Sequence, residues 1–143
     1  KRASQWRYPV EDPMQMQPQY RFFPMNDVLF QTESEIIESL AEKEDCVIIG
    51  RCANHILKDK CSSVFIHAPF EFRVKTVMIR LDRTEKSARA MIRKIDKERR
   101  SYYEYFTDER WLDMSQYDLC IDSSRFTPPQ IVRMLKAMYE EMN

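Results

Sequence analysis

Apolar residues recur along this chain in two rhythms, a helical one near every third or fourth position and a second made of short unbroken runs. From Asn26, a residue suited to an N-cap, Leu29, Phe30, Ile36, Ile37, Leu40 and Ala41 fall on one face of a helix ending near Lys43. The pattern then switches to Cys46-Val47-Ile48-Ile49-Gly50, an apolar run closed by a glycine, which predicts a strand buried on both faces of a parallel sheet. After a short helix-like connector over 52–58, Val64-Phe65-Ile66-His67-Ala68 repeats that signature. Pro69 then suits the first turn of a helix carried by Phe70, Val74, Val77, Met78 and Leu81. From about Thr84 to Phe106, Ala88, Met91, Ile92, Ile95, Tyr102 and Phe106 share a face of one long helix or a broken pair. Leu119-Cys120-Ile121 is a third strand. The last helix opens on Thr127-Pro128-Pro129-Gln130, a capping-box arrangement, and packs through Ile131, Val132, Leu135 and Met138. Strands alternating with helices predict an α/β fold with a doubly wound parallel sheet and flanking helices.

Residues 1–26 fit neither rhythm. Pro9, Pro13, Pro18 and Pro24 punctuate a stretch rich in aromatics, which reads as an extended arm lying against something, ahead of one α/β domain over 27–143. The 143 residues, 43% hydrophobic, suit one domain with a true core. Lys plus Arg (23) balance Asp plus Glu (23), so no global field draws the chain to nucleic acid or an anionic membrane, and any anion site is local. Cys46, Cys52, Cys61 and Cys120 form no CxxC pair and read as reduced thiols acting as small hydrophobes. No apolar stretch approaches the ~20 residues that span a bilayer, and the first residues hold no signal-peptide core, so a cytoplasmic protein is expected. The sole glycine is Gly50, whereas a phosphate-cradling loop needs several so that backbone N–H groups can converge on the ligand.

Ligands of such sheets bind past the carboxyl ends of the strands, which directs attention to Gly50-Arg51, His67 and Asp122-Ser123-Ser124-Arg125. Arginine's fixed fork of donors matches a phosphate, although an arginine after a strand is also a common solvated or salt-bridged residue. Arg89, Arg93, Lys97 and Arg100 place four cations along one side of the long helix. By spacing alone this stripe is a solvated face laced with ion pairs. Turned toward a phosphoryl group and able to swing, it becomes a lid that supplies charge where charge develops. His55 and His67 have no partner motif and read as packing or capping residues. No HExxH, GxSxG or Cys/His metal cluster is present, so no metal ligand is assigned.

Five blocks in order, Asn26 to Phe30, Cys46 to Ala53, Phe65 to Arg73, Asp96 to Tyr103 and Tyr117 to Arg125, resemble the cytidylate-kinase-like proteins. The resemblance implies a P-loop NTPase-type fold with a helical lid at about 82–107. It also implies transfer of the terminal phosphoryl group of ATP, with Mg2+, to a nucleoside monophosphate of the CMP or dCMP kind. By position it assigns Gly50, Arg51, Asp96 and Arg99 to the acceptor substrate. Arg93, Lys97 and Arg100 fall to catalysis in the lid, and Ser123, Ser124 and Arg125 to the loop near the donor base. Position 52 departs from true cytidylate kinases, which carry aspartate after the Gly-Arg; here it is Cys52. The family's first strand and phosphate loop, which precede these blocks, have no counterpart in the chain. The expectation is therefore that Lys1 is not the natural start, that a segment is unrecorded, or that another chain completes the sheet.

Two further readings compete. One is a non-catalytic, nucleotide-sensing or oligomerising relative that forms a homo-oligomer through the 1–26 arm. The other, a nucleic-acid surface on the basic helix, is opposed by the balanced charge and the interspersed acids. The partners expected are a nucleoside monophosphate and ATP, with neither nucleic acid nor membrane.

Overall fold

A computed structural model describes the backbone of residues 23–142, with side chains from Asp27 onward. The arm expected over 1–26 therefore lies outside the described residues except at its end, where residues 23–26 are helical. Helix α1 (Phe23–Lys43) thus begins before the expected cap at Asn26, and Pro24 sits in its first turn, where a missing N–H costs nothing. It is followed by α2 (Ala53–Ile56), β1 (Val64–His67), α3 (Phe70–Leu81), α4 (Glu85–Thr107), a 3-10 turn at Met114–Gln116, β2 (Leu119–Asp122) and α5 (Pro128–Met142).

Strands β1 and β2 pair in parallel, with Val64 opposite Leu119 and His67 opposite Asp122. Ahead of the pair, the Ser63 backbone N–H and hydroxyl both donate to Asp118 Oδ2 (2.7 and 3.0 Å), which fixes the register from outside the ladder. The residues between the strands form two helices that fold back on each other, and Val74 of α3 with Ala88 and Ile92 of α4 makes their shared core. Ala88 is fully buried, and its small side chain lets the two backbones approach. A second core joins Ile37 of α1 to Ala53 and Leu57 around α2.

The expected strand over 46–50 is not one. Among the described residues nothing pairs with it, and the segment takes no regular structure. Ile48 packs on the Ile37 core, whereas Val47 and Ile49 are 93% and 77% exposed, so the run faces protein on one side only. An apolar run becomes a strand only when a neighbour supplies the backbone partners. The sheet described is accordingly two-stranded and not the expected three-stranded doubly wound one.

The alternatives left open for 84–106 resolve to one continuous 23-residue helix, with Thr84 Oγ1 accepting from the Ser87 N–H at its start. At the start of α5, Gln130 Oε1 accepts from the Thr127 N–H at 2.8 Å, the reciprocal half of the expected capping box. With one glycine in the chain, aspartates take left-handed positions that glycine usually fills: Asp82 ends α3 (φ 47°) and Asp108 ends α4 (φ 54°). No helix among the described residues is long and apolar enough to cross a membrane.

Candidate functional site

The basic stripe of α4 divides in two. Arg89 is bound to carboxylates: its Nη1 and Nη2 donate to both oxygens of Glu71 (2.8 and 2.6 Å), and its Nε donates to Glu85 (2.8 Å). This part is the solvated, ion-paired face that spacing alone suggests. The next three cations differ. Arg93, Lys97 and Arg100, with Asp96 and Phe70, line a cleft of about 360 Å³ between α4 and the start of α3. Among the described residues none of these three forms an ion pair. Arg93 is held instead by its guanidinium lying 5.2 Å from the centre of the Phe70 ring, an attraction that orients the cation without neutralising it.

Asp96, the carboxylate of the cleft, is already matched. Arg73 of α3 donates to it through both arms of its fork, at 2.8 and 2.6 Å, which is the strongest geometry an arginine and a carboxylate adopt. The pair joins α3 to α4 and, among the described residues, leaves the three cations of the cleft without an ion-pair partner, Glu71 acting on Arg93 only at longer range. Neither Arg73 nor Phe70 was assigned a role from sequence, because a contact across 23 positions leaves no local spacing signal. Arg73 also lines a second cavity of about 240 Å³, where Arg99 and Ser123 meet the apolar side of α3 and α4.

The remaining expected residues lie apart from the cleft. Gly50, Arg51 and Cys52 take left-handed backbone in succession (φ 73°, 56° and 55°). For the two residues with a side chain this costs roughly 1–2 kcal/mol each. Such local strain is characteristic of ligand-binding turns. The turn holds the Arg51 side chain, 36% exposed, against Glu33 at 3.5 Å. Past β2, Ser123 donates through N–H and hydroxyl to the His67 carbonyl (2.8 and 3.1 Å), and Ser124 does likewise to Asp122 (2.9 and 2.7 Å). These hydroxyls shape the loop, and the Ser124 hydrogen bonds hold the Asp122 carboxyl below its ordinary range. Arg125 is exposed beside them.

Cys52, 3% exposed, closes the turn from inside. Burial, reinforced by the charge of Glu33, pushes its thiol up to about 12, so it stays protonated at neutral pH and is a poor nucleophile. Thiol titration of the native protein at pH 8 is expected to label the exposed Cys46 and to leave Cys52 untouched until denaturant is added. Rapid labelling of native Cys52 contradicts this packing.

A model of the cytidylate kinase-like family matches residues 1–125. The chain belongs to the cytidylate kinase-like family. Among solved structures this family member is similar to an uncharacterized protein from Eubacterium ventriosum, with 32% identity, coverage of 78% of this chain and 72% of that one, and a TM-score of 0.73. No curated protein matches it. Membership points to kinase-related chemistry and nucleotide substrates, and an uncompensated cationic cleft is what phosphate groups require.

The three cations of the cleft are donors of the kind that phosphate oxygens accept from. Magnesium is different: among the described residues no three His, Cys, Asp or Glu side chains come together, and both oxygens of Asp96 are occupied by Arg73. These residues supply no carboxylate set for the ion.

Proposed function

We propose that this chain carries the acceptor site and lid of a P-loop phosphotransferase that, as the full-length protein, moves the terminal phosphoryl group of ATP to a nucleoside monophosphate of the CMP or dCMP kind. The observation that carries the reading is the cleft on α4, in which Arg93, Lys97 and Arg100 stand together without carboxylate partners. Phosphoryl transfer demands little covalent chemistry from a protein. It needs reactants held in line and positive charge where the equatorial oxygens gather negative charge. In this reading the three cations meet the transferred group, and Arg51 grips the acceptor phosphate from its strained turn. Asp96 and Arg99 border the acceptor, and the loop Ser123-Ser124-Arg125 borders the donor base. The P-loop architecture is part of the same proposal. Its support is the apolar segment Cys46–Ile49, which pairs with no strand among the described residues and leaves Val47 and Ile49 exposed for burial by a further element.

Two observations favour a second reading, the nucleotide-sensing relative without turnover. Asp96 is engaged on both oxygens, and Cys52 stands where cytidylate kinases carry an aspartate. Turnover separates the two readings. The full-length protein is expected to phosphorylate CMP or dCMP with ATP and magnesium. Arg51→Ala is expected to raise the acceptor KM about 10- to 100-fold, the scale of a lost charged hydrogen-bond donor. Unchanged kinetics in that variant remove Arg51 from the site, and nucleotide binding without any turnover selects the sensing alternative.

A further inference from the structure

A carboxylate outside the cleft joins the acceptor turn to the lid helix. Glu33 lies on the face of α1 that meets the second half of α4, and its two oxygens have different partners. Oε1 is 3.5 Å from Arg51 Nη1, and Oε2 accepts a hydrogen bond from the Tyr102 hydroxyl at 3.1 Å. Glu33 is the less exposed member of the ion pair, at 23% against 36% for Arg51, so the carboxylate is the fixed partner and the arginine the one that reaches outward.

Tyr102 is itself a firm anchor. Its ring packs edge-on against Phe30 and tilted against Phe106, while Phe30 and Phe106 stack at 4.2 Å. Burial, and after it the charge of Glu33, raises the Tyr102 hydroxyl well above its ordinary value, so it remains a donor to Glu33 throughout the neutral range. Tyr102 stands two positions beyond Arg100 on the same continuous helix.

We infer that Glu33 is a positioning residue, which sets the Arg51 guanidinium for the phosphate of a nucleoside monophosphate and registers it against the helix that carries Arg93, Lys97 and Arg100. This rests on the phosphotransferase reading and adds to it a residue that the family blocks in the sequence do not include. A long arginine loses rotamer freedom when it grips a ligand, and a carboxylate that restrains it beforehand lowers that cost. A carboxylate this close also competes with the ligand for the guanidinium, so the sign of the effect decides between positioning and obstruction.

In the full-length protein, Glu33→Gln keeps an oxygen for Tyr102 and removes the charge facing Arg51. The acceptor KM is expected to rise about fivefold, with kcat and the KM for ATP within about twofold of wild type. Tyr102→Phe, which keeps the ring on Phe30 and Phe106, is expected to raise the same constant by about twofold, the effect of one neutral hydrogen bond. A purely structural Glu33 lowers the melting temperature without splitting the kinetic constants in this way. An acceptor KM that is unchanged or lower in Glu33→Gln, while Arg51→Ala keeps its defect, overturns the positioning role and leaves the phosphotransferase reading standing. A wild-type protein that neither binds CMP or dCMP by calorimetry nor phosphorylates them overturns both.

Discussion

Arg100→Ala in the full-length protein is expected to lower kcat for monophosphate phosphorylation about 10²- to 10³-fold, the loss that follows removal of one preorganised donor from a developing negative charge. The matching expectation is that Arg89→Ala, one link earlier in the same stripe, leaves kcat within about threefold. The two residues are alike in type and in helical face, and they differ in what surrounds them. Arg89 has both arms on Glu71 and its Nε on Glu85, so its charge is answered inside the protein. Arg100 faces the cleft with Arg93 and Lys97 and has no ion-pair partner among the described residues. A cation already compensated adds little field at a ligand, whereas an uncompensated one in a cleft adds its full share. Steady-state kinetics of both variants test the idea together. Equal losses in Arg89→Ala and Arg100→Ala, or none in Arg100→Ala, remove the cleft from the reaction.

That contrast also marks how far the sequence can be read. The stripe and its four cations follow from spacing, but spacing cannot tell which of them meet carboxylates, because Glu71 lies on another helix, 18 positions from Arg89. The Arg73–Asp96 pair is hidden for the same reason. Elements whose cause is local were legible: Pro69 ahead of α3, the Thr127-Pro128-Pro129-Gln130 start of α5, and the two runs that became β1 and β2. The segment Cys46–Ile49 misled because composition records that residues are apolar and not on which side protein lies. Ile48 turns inward and its neighbours turn out. Tyr103 and Thr107 were missed as buried for a related reason. Both carry a polar atom, and burial of each depends on a partner that satisfies it, a distant residue for Tyr103 and the carbonyl one turn back for Thr107. Asn54 donates to the Tyr103 hydroxyl at 2.9 Å, and Thr107 donates to the Tyr103 carbonyl at 2.7 Å.

The cations of the cleft depend on the packing beneath them, and this gives the largest expected effect on stability. Ile92 is 3% exposed between Val74 and Ala88, with Phe70, Val77 and Met78 around it. Ile92→Ala removes three carbons from the seam where α3 and α4 meet and is expected to destabilise the protein by about 2–5 kcal/mol, because a helix pair held by two ion pairs and one small core cannot close fully over the void. The fall in melting temperature is on the order of 10 °C for a chain of this size. Ile92→Val, which removes one methyl, is expected to cost about 0.5–1.5 kcal/mol. Urea or thermal unfolding of the two variants measures the difference, and equal stability of Ile92→Ala and wild type rules out this seam as the core. The link to function is direct. Arg93 follows Ile92 in the chain and lies over Phe70, a residue packed on the same core, so a loosened seam shifts both sides of the cleft at once. At a temperature where Ile92→Ala remains folded, its kcat is therefore expected to fall further than that of Ile92→Val, although Ile92 does not line the cleft of the three cations.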